Sequence, residues 1–151
     1  MRFYGRLLFC IVVLNIVLLS GCARQKELIP FPERHVLLMK RVHDFYEGLV
    51  NKKYDRMYAL LSDQNRKDTP KQEYTADLKE TFHDVTIIVH PPEIIRNFSG
   101  EAVTRAVIFL SYNGNNAIAC SQLVWTWEHE NWFMSDGDDN GCEVPVGKFI
   151  Q

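Results

Sequence analysis

Of the 151 residues of this chain, few combine the types and spacing that support chemistry. His43-Asp44 and His83-Asp84 hold the pair from which a general base is built. The first falls in a helical pattern, where consecutive side chains do not face each other. The second marks a strand entry, where neighbours point to opposite sides, so His83 and Asp84 read as a turn and stay minor catalytic candidates. Asp136-Gly137-Asp138-Asp139-Asn140-Gly141 repeats the first half of a calcium loop, with oxygen ligands at Asp136, Asp138 and Asn140. The position that needs a bidentate glutamate is Gly147, so a solvated acidic turn is expected and no metal is assigned. The histidines lack an i, i+4 helical pair and the cysteines lack zinc spacing. Tyr46, Tyr58, Tyr74, Trp125 and Trp127 are the pocket candidates: hydroxyls over an apolar wall suit a hydrophobic small molecule, and a filled aromatic core is the competing reading. No cofactor is implied.

The amino terminus sets the compartment. Arg2 and Arg6 precede an apolar run from Leu7 to Leu19 broken only by Asn15. That run is too short for a bilayer span of ~20 helical residues and suits the core of an export signal. It ends at Leu19-Ser20-Gly21-Cys22, which resembles the bacterial lipobox. The resemblance implies cleavage before Cys22 and the addition of acyl chains such as palmitate to that residue. Several chains anchor stably where one does not. Ala23 after the cysteine implies the outer membrane, facing the periplasm.

Residues 1–21 thus read as signal peptide, 22–31 as a lipidated tether broken by Pro30 and Pro32, and 32–151 as one domain with a carboxy-terminal tail. Without Arg2 and Arg6 the chain is more acidic than its formal −2. It has no basic run for nucleic acid. Once Cys10 leaves and Cys22 is acylated, Cys120 and Cys142 remain, and an oxidising compartment favours their pairing as a disulfide.

The elements that must position these groups follow from periodicity. Leu38, Val42, Phe45 or Tyr46, and Leu49 recur at helical spacing from Pro32 to about Val50. Tyr54, Met57, Tyr58 and Leu61 mark a second helix. Thr69-Pro70-Lys71-Gln72 predicts a capping box opening a third, with Tyr74, Leu78 and Phe82 on its buried side. Strands are predicted over 85–90, 93–98, 101–112, 117–128 and 132–135, with turns at Pro91-Pro92, Ser99-Gly100, residues 113–116 and residues 129–131. The expected class is α+β: three helices packed on a curved antiparallel sheet of four or five strands, a cone-shaped, cystatin-like layout.

Phe45-Tyr46-Glu47-Gly48-Leu49 leading into Tyr54–Ser62, and Trp125-Thr126-Trp127-Glu128 before Asn131–Met134, resemble the nuclear transport factor 2-like (SnoaL-like) superfamily. The resemblance covers about Phe31 to Asp136 and implies that the sheet curls around the helices. Isomerases and dehydratases of that superfamily hold a general base in the cone. Here alternation turns Leu123, Trp125 and Trp127 inward with Ala106, Ile108, Leu110 and Tyr112, and neither set carries a carboxylate, imidazole or amine. A non-enzymatic binding or accessory module, for an apolar small molecule or an envelope partner, is therefore ranked above a small-molecule isomerase or dehydratase. Val107, Phe109, Ile118 and Val124 turn outward, an apolar patch for the tail to cover in a monomer, or for a homodimer or envelope partner. Mass spectrometry of the mature amino terminus should find an acylated Cys22, and Cys22→Ser should release the protein from membranes; an unmodified Cys22 or a different start ends the lipoprotein reading.

Overall fold

The computed structural model describes residues 31–98 and 100–137. Helix α1, Phe31–Val50, buries Leu38, Val42, Phe45, Tyr46 and Leu49 along one stripe. It ends at Val50, and the positive φ of 56° at Lys52 reverses the chain. Helix α2, Tyr54–Ala59, then folds back so closely that a Cβ on Gly48 would stand 2.7 Å from Met57 Cγ. Any larger residue there would force the Met57 side chain to move.

Two expectations change in the next segment. A fourth helix, α3 over Asp63–Asp68, occupies what read as a loop, because the Ser62 hydroxyl accepts from the Asn65 N–H at 3.2 Å and caps it. Helix α4, Lys71–Thr81, opens from Pro70 with no side-chain cap bond. Thr69 instead closes α3 through its N–H to Asn65 O at 2.9 Å, so the predicted capping box does not form.

The sheet is antiparallel, with β1 (Thr86–Val89), β2 (Glu93–Asn97), β3 (Glu101–Tyr112), β4 (Asn115–Glu128) and β5 (Asn131–Gly137). Its order is β1-β3-β4-β5, and β2 pairs with β3 beyond β1 on the same edge, after the Pro91-Pro92 break. Register shifts at Ile94/Arg96 and Val124/Trp125 help the sheet curl. Asn113-Gly114 turns with φ of 48° and 80°, and His129-Glu130 with 47° and 63°, so both hairpins close on two residues and β4 and β5 run longer than expected. Among the described residues no helix is long and apolar enough to cross a membrane.

The core lies between α1, α2 and the inner sheet face, as alternation predicts. Trp125 is 0% exposed, meets Phe45 edge to face at 6.1 Å, and donates its indole N–H to the buried Thr104 hydroxyl at 2.9 Å. Tyr112 departs from the expected inward set: at the hairpin end it is exposed. Thr104→Val keeps the shape and orphans the indole N–H, so it should cost about 1–3 kcal/mol of stability in urea denaturation; no measurable loss would mean that water reaches the indole.

Candidate ligand-binding cavity

Helix and sheet leave a cavity of about 390 Å³ at the wide end of the cone. Phe45 and Leu49 of α1 and Met57 of α2 form one wall, Tyr74, Leu78 and Phe82 along α4 a second, and Ile108, Leu110, Ala119, Ser121 and Leu123 of β3 and β4 the third. The α4 residues are only half-buried because they face this space. Its polar handles are Tyr74 and the Ser121 hydroxyl, which accepts from Tyr46 Oη at 3.2 Å. Burial pushes the Tyr74 phenol up to about 12, so it stays neutral near pH 7. No carboxylate, imidazole or amine is among the residues lining it.

The five aromatic candidates are placed differently from one another. Tyr74 lines the cavity and Tyr46 touches it through Ser121. Tyr58 is turned away: its hydroxyl lies 3.1 Å from Arg66 O and 3.2 Å from Thr69 O, and its ring packs on Tyr74 at 5.6 Å. Trp125 fills the narrow end. Trp127 meets Trp132 edge to face at 5.2 Å, under the Arg34 guanidinium at 4.6 Å, and this is packing, not cavity wall. Phe45, Leu49, Met57 and Leu78, which do shape the cavity, read in the sequence only as core positions.

The turn expected at His83 and Asp84 is present, and one premise of that reading changes. They lie in the turn after α4, before β1 begins, so strand alternation does not separate them; His83 Nδ1 stands 2.9 Å from Asp84 Oδ2. Both are mostly exposed and line an open depression of about 620 Å³ with Glu80, Tyr112 and Asn115. Phe82 and Leu110 line both that depression and the cone cavity, so the pair sits at the mouth and outside the apolar interior. His43 and Asp44 part as expected, His43 lining a groove against Pro91-Pro92 and Asp44 another against Lys53 and Arg56.

Asp136 is also corrected: it belongs to β5, opposite Val124, and its Oδ1 accepts from Gly137 N–H, so no loop starts there. Asp138, Asn140 and Cys142 lie outside the described residues. Cys120 is disulfide-bonded. One constellation escaped the sequence because its members are 65 residues apart: Asp63, Glu128 and His129 bring ligand atoms within 4.8 Å of one another. His129 Nε2 lies 2.8 Å from Asp63 Oδ2, Arg66 pairs with Asp63 Oδ1 at 2.5 Å, and Glu128 accepts from Asp63 N–H at 3.2 Å. With a guanidinium already on the carboxylate, this is a clasp between α3 and the β4–β5 turn.

No family model and no curated protein matches the chain. Solved structures do. The chain is similar to a domain of unknown function with a cystatin-like fold from Nostoc punctiforme, at TM-score 0.58 and 11% identity over 78% of this chain and 82% of that one. It is similar to the Kfla4162 protein from Kribbella flavida, at 0.55 and 10% over 72% and 90%. It is also similar to a proposed dehydratase of the NTF2-like family from Streptomyces avermitilis, at 0.52 and 6% over 70% and 94%. The protein therefore has the NTF2-like, cystatin-like fold, and at these identities the likeness shows the fold alone.

The clasp generates a pH dependence. The hydrogen bond from His129 and then that from Arg66 hold the Asp63 carboxyl below the usual carboxylate range. A lowered folded value means that its contribution is present above the unfolded value near 3.9 and is lost as pH falls through the folded one. His129→Ala should lower the melting temperature by a few degrees at neutral pH, roughly the scale of an exposed pair, and the difference from wild type should shrink in acid and close once Asp63 is protonated in the folded state as well. A difference that persists in acid would mean the turn is stabilised otherwise.

Proposed function

We propose that this chain is a non-enzymatic binding module, held at the periplasmic side of an outer membrane by acyl chains on Cys22 and taking an apolar small molecule in the cone. The observation that carries the binding part is the cavity of about 390 Å³, within the range of small-molecule sites, with apolar walls, hydroxyl handles and an open mouth. The membrane part rests on the lipobox-like Leu19-Ser20-Gly21-Cys22. An isomerase or dehydratase using the same cone is the second reading, and the His83–Asp84 pair at the mouth is what speaks for it. It ranks lower because such chemistry needs an ionisable group beside the substrate, and those lining the cavity are apolar side chains and neutral hydroxyls.

The test is binding of 1-N-phenylnaphthylamine, a neutral apolar fluorophore, to the purified delipidated protein. Fluorescence enhancement should saturate, and Ala119→Phe, which fills the cavity from β4, should weaken binding at least tenfold while the far-UV spectrum stays native. Saturable binding unaffected by Ala119→Phe, or no saturable binding, would overturn the cavity reading. Native mass spectrometry of protein taken from envelopes should show an apolar adduct that Ala119→Phe loses.

A further inference from the structure

The outer face of the sheet is apolar but unevenly covered. The β3–β4 ladder puts Val103, Val107 and Phe109 on that face of β3, and Ile118, Cys120 and Val124 on that face of β4. Val103 and Val107 are only 2% and 9% exposed, although neither belongs to the cone core, which packs on the opposite face. Toward the Asn113-Gly114 turn the cover stops. Ile118 is 48% exposed, and Ile88, in the same cross-strand row through Phe109, is 61% exposed.

Cys120 stands opposite Val107, next to the bare row, and it is disulfide-bonded. The other cysteines of the chain are Cys10, Cys22 and Cys142. Register decides between them. Gly137 pairs with Leu123, so a chain continuing along β4 comes level with Cys120 at Asn140, two residues before Cys142. Each extended residue advances ~3.3 Å, so two would carry Cys142 roughly 6–7 Å past that level, and a turn back toward β4 would bring it to the 4.4–6.8 Å Cα separation of a disulfide. The last eight residues then supply Val144, Val146, Phe149 and Ile150, enough apolar surface to cover two valines.

We propose that Cys142 is the partner of Cys120 within one chain, and that residues 138–151 dock across the outer face over Val107 and Val103. Closing the bond takes two protons and two electrons from the two thiols. They pass to a disulfide of an oxidising partner, which leaves as a dithiol. The bridge also braces the cavity, because Ala119 and Ser121, on either side of Cys120, form part of its wall. The tail acts as a cover that costs no translational entropy.

Non-reducing peptide mapping of the full chain from envelopes should join Cys120 to Cys142. Cys142→Ser, and separately a chain ending at Gly137, should lower the melting temperature by about 10 °C or more. Carbene labelling over residues 103–107 should rise severalfold in both, and dithiothreitol should reproduce the effect in wild type and add nothing to Cys142→Ser. If the truncated chain fails to fold, Cys142→Ser and the reductant carry the test. Cys120 joined to Cys10, to Cys22 or to a second chain would overturn the proposal, as would labelling at 103–107 that neither variant changes.

Discussion

The unbroken pairing of β3 with β4, from Glu101 opposite Thr126 to Tyr112 opposite Asn115, is the constraint on which the rest of the structure depends. A slip of one residue would turn Trp125 and Leu123 to the outside and bring Cys120 and Val124 into the cone. The ladder sets large against small where Trp125 faces Ala102, and small against small where Ala106 faces Ser121. That spacing admits the Phe45 and Tyr46 rings of α1, which meet each other edge to face at 5.7 Å. Helix and sheet therefore interlock around Trp125.

The two sheet edges are closed by different means. Along β5, the segment after α2 adds a short parallel bridge: Met134 N–H donates to Leu60 O and Ser62 N–H donates to Met134 O, both at 2.8 Å. Asn65 Nδ2 extends it to Met134 O and Ser135 O. The Ser62 cap that starts α3 thus also places α3 against β5, and the His129–Asp63 contact fixes a turn whose two positive φ values lack the usual asparagine and glycine. At the other edge, Pro91-Pro92 and a register shift in β2 break the ladder, and the Glu93–Arg105 ion pair adds charge there. Both devices discourage pairing with another chain's strand.

How much of this was legible in the sequence varies with range. Helix α1 and strand β3 could be placed almost to the residue, because a long amphipathic stripe and a β-branched run are local signals. The α+β class and the inward face of β4 followed from period alone. Helix α3 was missed because six polar residues carry no stripe; its one local signal is Ser62 three residues before Asn65. The clasp could not be read at all, since Asp63 and His129 meet only once β5 has folded beside α3. The cavity was half-read. Large aromatics were natural candidates for a wall, yet Trp125 is too well matched to Ala102 and Thr104 to leave space beside it. The open volume falls instead where leucines, a methionine and an alanine meet.

That distribution bears on what the cavity can do. A general base needs an ionisable group whose proton moves near neutral pH, and burial works in the opposite direction for the hydroxyl that lines this space, holding Tyr74 as a neutral phenol up to about 12. The Tyr46–Ser121 pair is committed to its own hydrogen bond. Water inside such a space finds few polar partners, so an apolar group that displaces it loses little and gains the contacts of Phe45, Leu49, Leu78 and Ile108. The charged and hydrogen-bonding groups, Glu80, His83, Asp84 and the asparagines of the hairpin, gather at the mouth, in contact with solvent. On the proposed binding reading, an apolar interior behind a polar rim orients a ligand by polarity and size.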